Sequence, residues 1–122
     1  MTIIDEKLLS QYRGLGRCEW CKAPCRRQPE HVYPRALGSS RRVDLAINIV
    51  GLCAACHQKA HAGHGEPSKQ QLKEYVAKRE RTTPEAIQEL LWAIWRLPQG
   101  SQVPSLRRVE SGLDASKNEP VF

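Results

Sequence analysis

Five cysteines and four histidines carry the candidate chemistry of this 122-residue chain. Cys18-x-x-Cys21 and Cys53-x-x-Cys56 are two matched pairs of thiols, and each pair can grip one side of a tetrahedral ion. Zinc is the expected occupant, because it favours four soft ligands in a closed site. Binding worth about 10 to 16 kcal/mol in small zinc peptides can decide whether such a domain folds. Cys25 could replace Cys21 or stand as a spare thiol, and the equal spacing of the two outer pairs favours the spare thiol. His57 and His61 are four residues apart, so on a helix both imidazoles leave one face and can meet a single ion. Glu30, on an extended segment upstream, would add a hard oxygen ligand and leave the ion partly open. The competing reading of the histidine pair is two solvated side chains on a polar helix.

The setting favours metal over disulfides. Residues Met1 to Ser10 have no basic start followed by an apolar stretch, and no run is long enough to span a bilayer. The expected location is therefore cytoplasmic, where paired cysteines hold metal more often than they form disulfides. A chain of this length, 40% hydrophobic and 6% aromatic, builds one modest core that gains from such a staple. The formal charge of +6 points to a polyanionic partner. That charge is uneven: residues 1 to 62 hold ten Lys or Arg against five Asp or Glu, and residues 63 to 122 hold nine against eight. The half with the cysteines and histidines thus carries most of the attraction for phosphate.

The elements that must position these side chains follow from periodicity and caps. Ile4, Leu8, Tyr12 and Leu15 have helical spacing, which predicts a packing helix over about 2–15, with Thr2 as N-cap and Gly14 or Gly16 as its stop. Gly16 to Gln28 reads as a turn-rich knuckle, Pro29 to Tyr33 as a short extended segment, and Leu37 to Arg42 as a polar loop. Asn48 to Leu52 suits a second strand, and Cys53 to Ala62 a helix closed by Gly63. Ser68 with Gln71 forms a capping box for a helix over about 68–81. Thr83 followed by Pro84 starts another over about 84–97, with Ile87, Leu90, Leu91, Ile94 and Trp95 on its apolar face. Trp92 and Trp95 read as core side chains before base-stacking ones. The expected fold class is small α+β: a strand, strand, helix unit at 18–64 with flanking helices, one domain over 1–97, and a flexible tail at 98–122.

The segment from Cys18 through His61, with CEWC, EHVYPRALG, NIVGLCAACH and KAH in that order, resembles the ββα-metal core of the HNH endonuclease family in its four-cysteine form. The resemblance covers somewhat over a third of the chain. It implies a divalent-metal-dependent DNA endonuclease, with a structural zinc on Cys18, Cys21, Cys53 and Cys56. It also implies one catalytic ion, Mg²⁺, Mn²⁺, Ni²⁺ or Zn²⁺, on Glu30, His57 and His61. By the same resemblance His31 is the general base, and Asn48 holds the His31 strand and loop by hydrogen bonds. Glu30 stands where the family more often has Asp or His, which leaves His64, at i+7 from His57, as an alternative ligand. The loop has Gly38-Ser39 where the family often has a glycine pair.

Arg35, Arg41, Arg42 and Lys59 surround this segment and are the expected phosphate contacts. The partners expected are DNA and, from the family's occurrence in phages and mobile elements, a phage terminase or a second copy of the chain; host cytoplasm is then the location. No membrane partner is expected. A non-catalytic zinc-stapled DNA-binding module is the alternative, and it does not require His31 and Asn48 beside the paired histidines.

Overall fold

The computed structural model describes residues 1–33 and 42–104. Its elements are α1 (Glu6–Ser10), β1 (Gly14–Arg17), β2 (Pro24–His31), β3 (Ile49–Leu52), α2 (Ala54–Ala62), α3 (Lys69–Arg79) and α4 (Pro84–Arg96). The strands form one antiparallel sheet in the order β1-β2-β3. This is a small α+β fold, and its centre is β2, which pairs with a different neighbour along each half. Pro24 to Arg27 face β1, whereas Gln28 to His31 face β3. At Pro29 the strand therefore has a neighbour on one side only, which is the setting that tolerates a residue without an N–H.

Each helix except α1 starts where the sequence signals it. Ser68 and Gln71 close a reciprocal capping box on α3, and Thr83 Oγ accepts the Ala86 N–H ahead of Pro84 at the start of α4. Helix α2 ends on Gly63 in the left-handed conformation, as a residue without Cβ does at low cost. That helix is polar, and only Cys56 and Ala60 on it are buried. Its position must come from its ends and from the cysteines, not from an apolar face. The main core lies instead between the sheet and the last two helices, where Val50, Leu52, Leu72, Val76, Ile87, Leu91 and Ile94 are fully buried. Trp95 joins it, and Trp92 remains partly exposed.

The N-terminal region departs from expectation. The helix is capped by Asp5, not Thr2, and runs only from Glu6 to Ser10. Ile4 is 62% exposed and Leu15 79% exposed, so the stripe that suggested a longer helix has no surface to bury against at its ends. Gly14 and Gly16, poor helix formers, join β1 and pair with Arg27 and Cys25. The knuckle expected to lack regular structure is thus the turn of a β hairpin. A close approach holds this region to the sheet: a Cβ on Gly51 would lie 3.0 Å from the Tyr12 carbonyl oxygen. Beyond α4, Gln99 is clipped to Thr2 by two hydrogen bonds of 2.9 and 2.8 Å, so this part of the expected tail is anchored to the domain. Arg35, Gly38, Ser39 and Arg41, and the tail from residue 105 onward, lie outside the described residues.

Candidate functional site

Two groups of side chains in the described residues could hold a metal ion: Cys18, Cys21, Cys53 and Cys56, and Glu30, His57 and His61. The four thiols come from the β1–β2 turn and from the start of α2. All four sulfurs lie within 4.8 Å of one another, and Cys21 Sγ is 3.8 Å from Cys53 Sγ. Four sulfurs placed about 2.3 Å from a central zinc sit about 3.8 Å apart at the corners of a tetrahedron, whereas a disulfide needs about 2.05 Å. The four cysteines are free thiols, close enough together to hold one ion.

Each pair also shows the same local geometry. The Cys21 N–H donates to Cys18 Sγ at 3.5 Å, and the Cys56 N–H donates to Cys53 Sγ at 3.4 Å. Such N–H groups stabilise thiolates. Burial opposes the Cys18 thiolate, yet backbone N–H groups of Cys53, Cys21 and Trp20 outweigh it and bring the thiol down to about 6. Burial and the neighbouring thiols push Cys56 up. Cys25, on β2, is partly buried and stands outside the four-sulfur group.

The second group is built on the face of β2 that looks toward α2. Glu30 is only 3% exposed, and its Oε1 lies 2.8 Å from His57 Nε2 and 3.0 Å from His61 Nε2. The helical i, i+4 spacing puts the two rings side by side, with centroids 4.7 Å apart. Two neighbours fix the carboxylate and one ring. His57 Nδ1 is hydrogen-bonded to Gln28 Oε1, at 2.5 Å. Since that oxygen can only accept, a proton on Nδ1 serves this bond, and a neutral ring would then turn its Nε2 lone pair toward Glu30. Two ring nitrogens within 3.0 Å of one carboxylate oxygen could share a cation with it, and the donor set of two imidazoles and a carboxylate is one that zinc, nickel or manganese accepts. The other carboxylate oxygen, Oε2, receives the Lys69 ammonium from the first residue of α3, and Lys69 Nζ also donates to the His31 carbonyl at 3.1 Å. His64 is exposed and is not part of this group.

His31 follows Glu30 in β2, so successive side chains leave opposite faces of the strand. Its ring is not in the three-ligand group. Instead His31 Nε2 lies 2.6 Å from Oδ1 of Asp44, which has no exposed surface. Asp44 also accepts from Arg42 Nε and Nη2 at 2.9 and 2.7 Å and from the Asp5 N–H at 2.8 Å. Burial works against its charge, but the Arg42 guanidinium, the Asp5 N–H and His31 prevail and hold the carboxyl down at about 2.

Asn48 is fully buried in the turn before β3. Its Oδ1 accepts the Tyr33 N–H at 2.7 Å, its Nδ2 donates to the Val43 carbonyl at 2.9 Å, and its own carbonyl accepts the Val32 N–H at 2.9 Å. One side chain thereby ties the end of β2 to the chain on the far side of residues 34–41. Arg79 performs a similar service from α3, donating to the Ala46 and Ile49 carbonyls and to Glu19, whose other oxygen accepts the Gly51 N–H.

Of the expected phosphate contacts, Lys59 is exposed on α2. Arg42 has its guanidinium engaged by Asp44 and, at 3.2 Å, by Glu6. Sequence reasoning did not find Gln28, Asp44 or Lys69. Gln28 was accessible in principle, being two residues before Glu30 and so on the same strand face. Asp44 and Lys69 meet the site only through tertiary folding. Among the described residues no helix is long and apolar enough to cross a membrane. Comparison with protein-family models, with curated proteins and with solved structures finds no match to the chain in any of the three.

Proposed function

We propose that the protein is a divalent-metal-dependent DNA endonuclease of the HNH type, hydrolysing phosphodiester bonds. The observation that carries the reading is the pairing of two arrangements on consecutive residues. Glu30 gathers the imidazoles of His57 and His61, while His31, the next residue, is held by a buried carboxylate. In-line displacement at phosphorus needs the base and the ion on opposite sides of the phosphate, so the base should stand near the ligand group without belonging to it.

His31 suits that base. With its Nε2–H given to Asp44, the lone pair is on Nδ1, which takes the proton of a water attacking phosphorus. Asp44 then stabilises the imidazolium as it forms. The bond from phosphorus to the 3′ oxygen breaks, the departing oxygen takes a proton from solvent, and a 5′ phosphate and a 3′ hydroxyl are left. Glu30, His57 and His61 hold the ion, Gln28 orients His57, and Asn48 keeps the strand end in register. When bound, the cation supplies charge to polarise the phosphoryl oxygen and to stabilise the departing 3′ oxygen. The four cysteines fasten the start of α2 to the β1–β2 turn, which sets the histidines against Glu30.

One observation favours a second reading, a zinc-stapled DNA-binding module without catalysis: the Lys69 ammonium already neutralises Glu30. A plasmid-nicking assay across Mg²⁺, Mn²⁺, Ni²⁺ and Zn²⁺, with a chelator control and the His31→Ala variant, separates the two. The nuclease reading expects metal-dependent conversion of supercoiled to open-circular or linear DNA, lost with His31→Ala. Binding of DNA without nicking under any of these ions would leave the module.

A further inference from the structure

Three of the ten cationic residues in the first half of the chain meet at one place. Arg13, Arg26 and Arg27 line one open cleft of about 470 Å³ together with Gln28, Pro29 and Ala54, and no carboxylate is among its walls. The three arginines come from the approach to β1 and from β2. Arg26, Gln28 and Glu30 alternate along β2 and so share the face that looks toward α2. Gln28 belongs to both places: it lines the cleft and holds His57 by its amide oxygen.

What sets these arginines apart is that they lack counter-charges. Arg42 and Arg79 are paired with carboxylates, which accounts for them structurally. Arg13 and Arg26 have no side-chain hydrogen bond or ion pair among the described residues. Arg27 gives one N–H to the Gln11 carbonyl at 3.1 Å, and its buried Nε has no hydrogen-bond partner. The arginines that line the cleft carry like charges with no carboxylate among its walls, so folding gains no ion pair by placing them there. An anion supplied from outside completes such a pair, and guanidinium groups match phosphate oxygens through paired N–H donors.

We infer that this cleft is a phosphate-binding track that holds the backbone of duplex DNA beside the Glu30, His57 and His61 group. The inference rests on the nuclease reading for its ligand and deepens it by naming the surface that positions the substrate. Position supports the choice of DNA over a small anion. Gln28 is two strand residues from Glu30, about 7 Å, which corresponds to about two base steps along a duplex axis at 3.4 Å each. A backbone lying in the cleft along that direction thus reaches the candidate metal group about two phosphates further on. Such contacts fix register without reading bases.

The test is the salt dependence of binding, followed by fluorescence anisotropy with a short labelled duplex and zinc-loaded protein, no further metal being added. Arg13→Gln/Arg26→Gln should make the slope of log affinity against log salt shallower by about 1.8, at about 0.9 for each phosphate that is no longer neutralised, on any sequence. Arg96→Gln, whose guanidinium lies over Trp92, should leave the slope unchanged. Arg26→Glu alone gives a second reading of the same effect, and circular dichroism verifies that each variant folds. Wild-type binding with a slope that none of the cleft variants alters overturns the track. Two further outcomes separate the track from the nuclease reading. If the slope responds as expected while plasmids are never nicked, the track stands and the nuclease reading falls. If nicking occurs while the slope is indifferent to Arg13 and Arg26, the reverse holds. A small-anion site instead would show as tripolyphosphate binding abolished in the double variant with duplex binding intact, and would overturn the DNA track.

Discussion

His31 Nε2 lies 2.6 Å from Oδ1 of Asp44, and that carboxylate is fully buried. A buried acceptor that keeps its charge down to about pH 2 on one ring nitrogen fixes both the tautomer and the orientation of the other. Asp44→Asn should therefore lower kcat for cleavage by about ten- to a hundredfold, the usual cost of losing an orienting partner, with little change in KM for DNA. His31→Ala should cost about 10² to 10⁴, the scale of a general base. The double variant should be no slower than His31→Ala alone, because the carboxylate acts only through the ring. Independent, additive losses would show that Asp44 serves the fold and not the base.

The same carboxylate makes stability depend on pH in acid. Its folded value of about 2 is below the ordinary 3.8, so its contribution is fully present above about pH 4 and fades as pH falls through 2. A shift of this size corresponds to about 2 kcal/mol at neutral pH. Urea denaturation of wild type and Asp44→Asn at pH 6 and pH 3 checks it: the wild type should lose stability between the two, and the variant should lose less. Parallel losses in both proteins would assign the acid sensitivity to other groups.

Cysteine replacement distinguishes ligands from the spare thiol. Cys18→Ser or Cys56→Ser removes a corner of the four-sulfur group, and α2, which lacks an apolar face, is then left with its polar contacts from His57 and His61 to β2. Zinc content by elemental analysis should fall and the far-ultraviolet spectrum should lose helix. Cys25→Ser should keep both. Zinc retained by Cys21→Ser but missing from Cys25→Ser would exchange the roles of Cys21 and Cys25.

How far the sequence disclosed this arrangement depended on whether the signal was local. Caps and spacing located α2, α3 and α4, because a capping box, a proline at the first helical position and a glycine stop act within a few residues. The four cysteines and the two histidines were legible for the same reason. The β1–β2 hairpin was not: Gly14 to Arg17 has neither alternation nor a β-branched or aromatic residue, and it is a strand because β2 offers it partners. Asp44 and Lys69 were hidden too. Nothing in the neighbourhood of either residue indicates that His31 or Glu30 will lie against it, since those contacts span 13 and 39 residues. Asn48 shows the intermediate case, its place read from motif order and its three partners supplied only by the fold.

Lys69 bears on which ion the Glu30 group would take. Its ammonium occupies Glu30 Oε2, so the carboxylate has one oxygen, Oε1, facing the imidazoles of His57 and His61. A site of two nitrogens and one oxygen, with its negative charge already offset, is poor for Mg²⁺, which demands oxygen ligands and gives up water reluctantly. Zn²⁺, Ni²⁺ and Mn²⁺ accept imidazole, in the affinity order Mn²⁺ below Ni²⁺. Titration calorimetry on protein whose four-cysteine site is already filled should find Ni²⁺ and Zn²⁺ binding far more tightly than Mg²⁺, and His57→Ala should weaken both. Lys69→Met releases Oε2 and leaves the site one unit more negative. Mg²⁺ affinity should then rise by about tenfold, equivalent to about 1.4 kcal/mol, while Ni²⁺ affinity rises less because its bonds to imidazole already dominate. If Lys69→Met instead abolishes binding of every ion, the lysine is needed to hold Glu30 in place, and its charge does not set the preference.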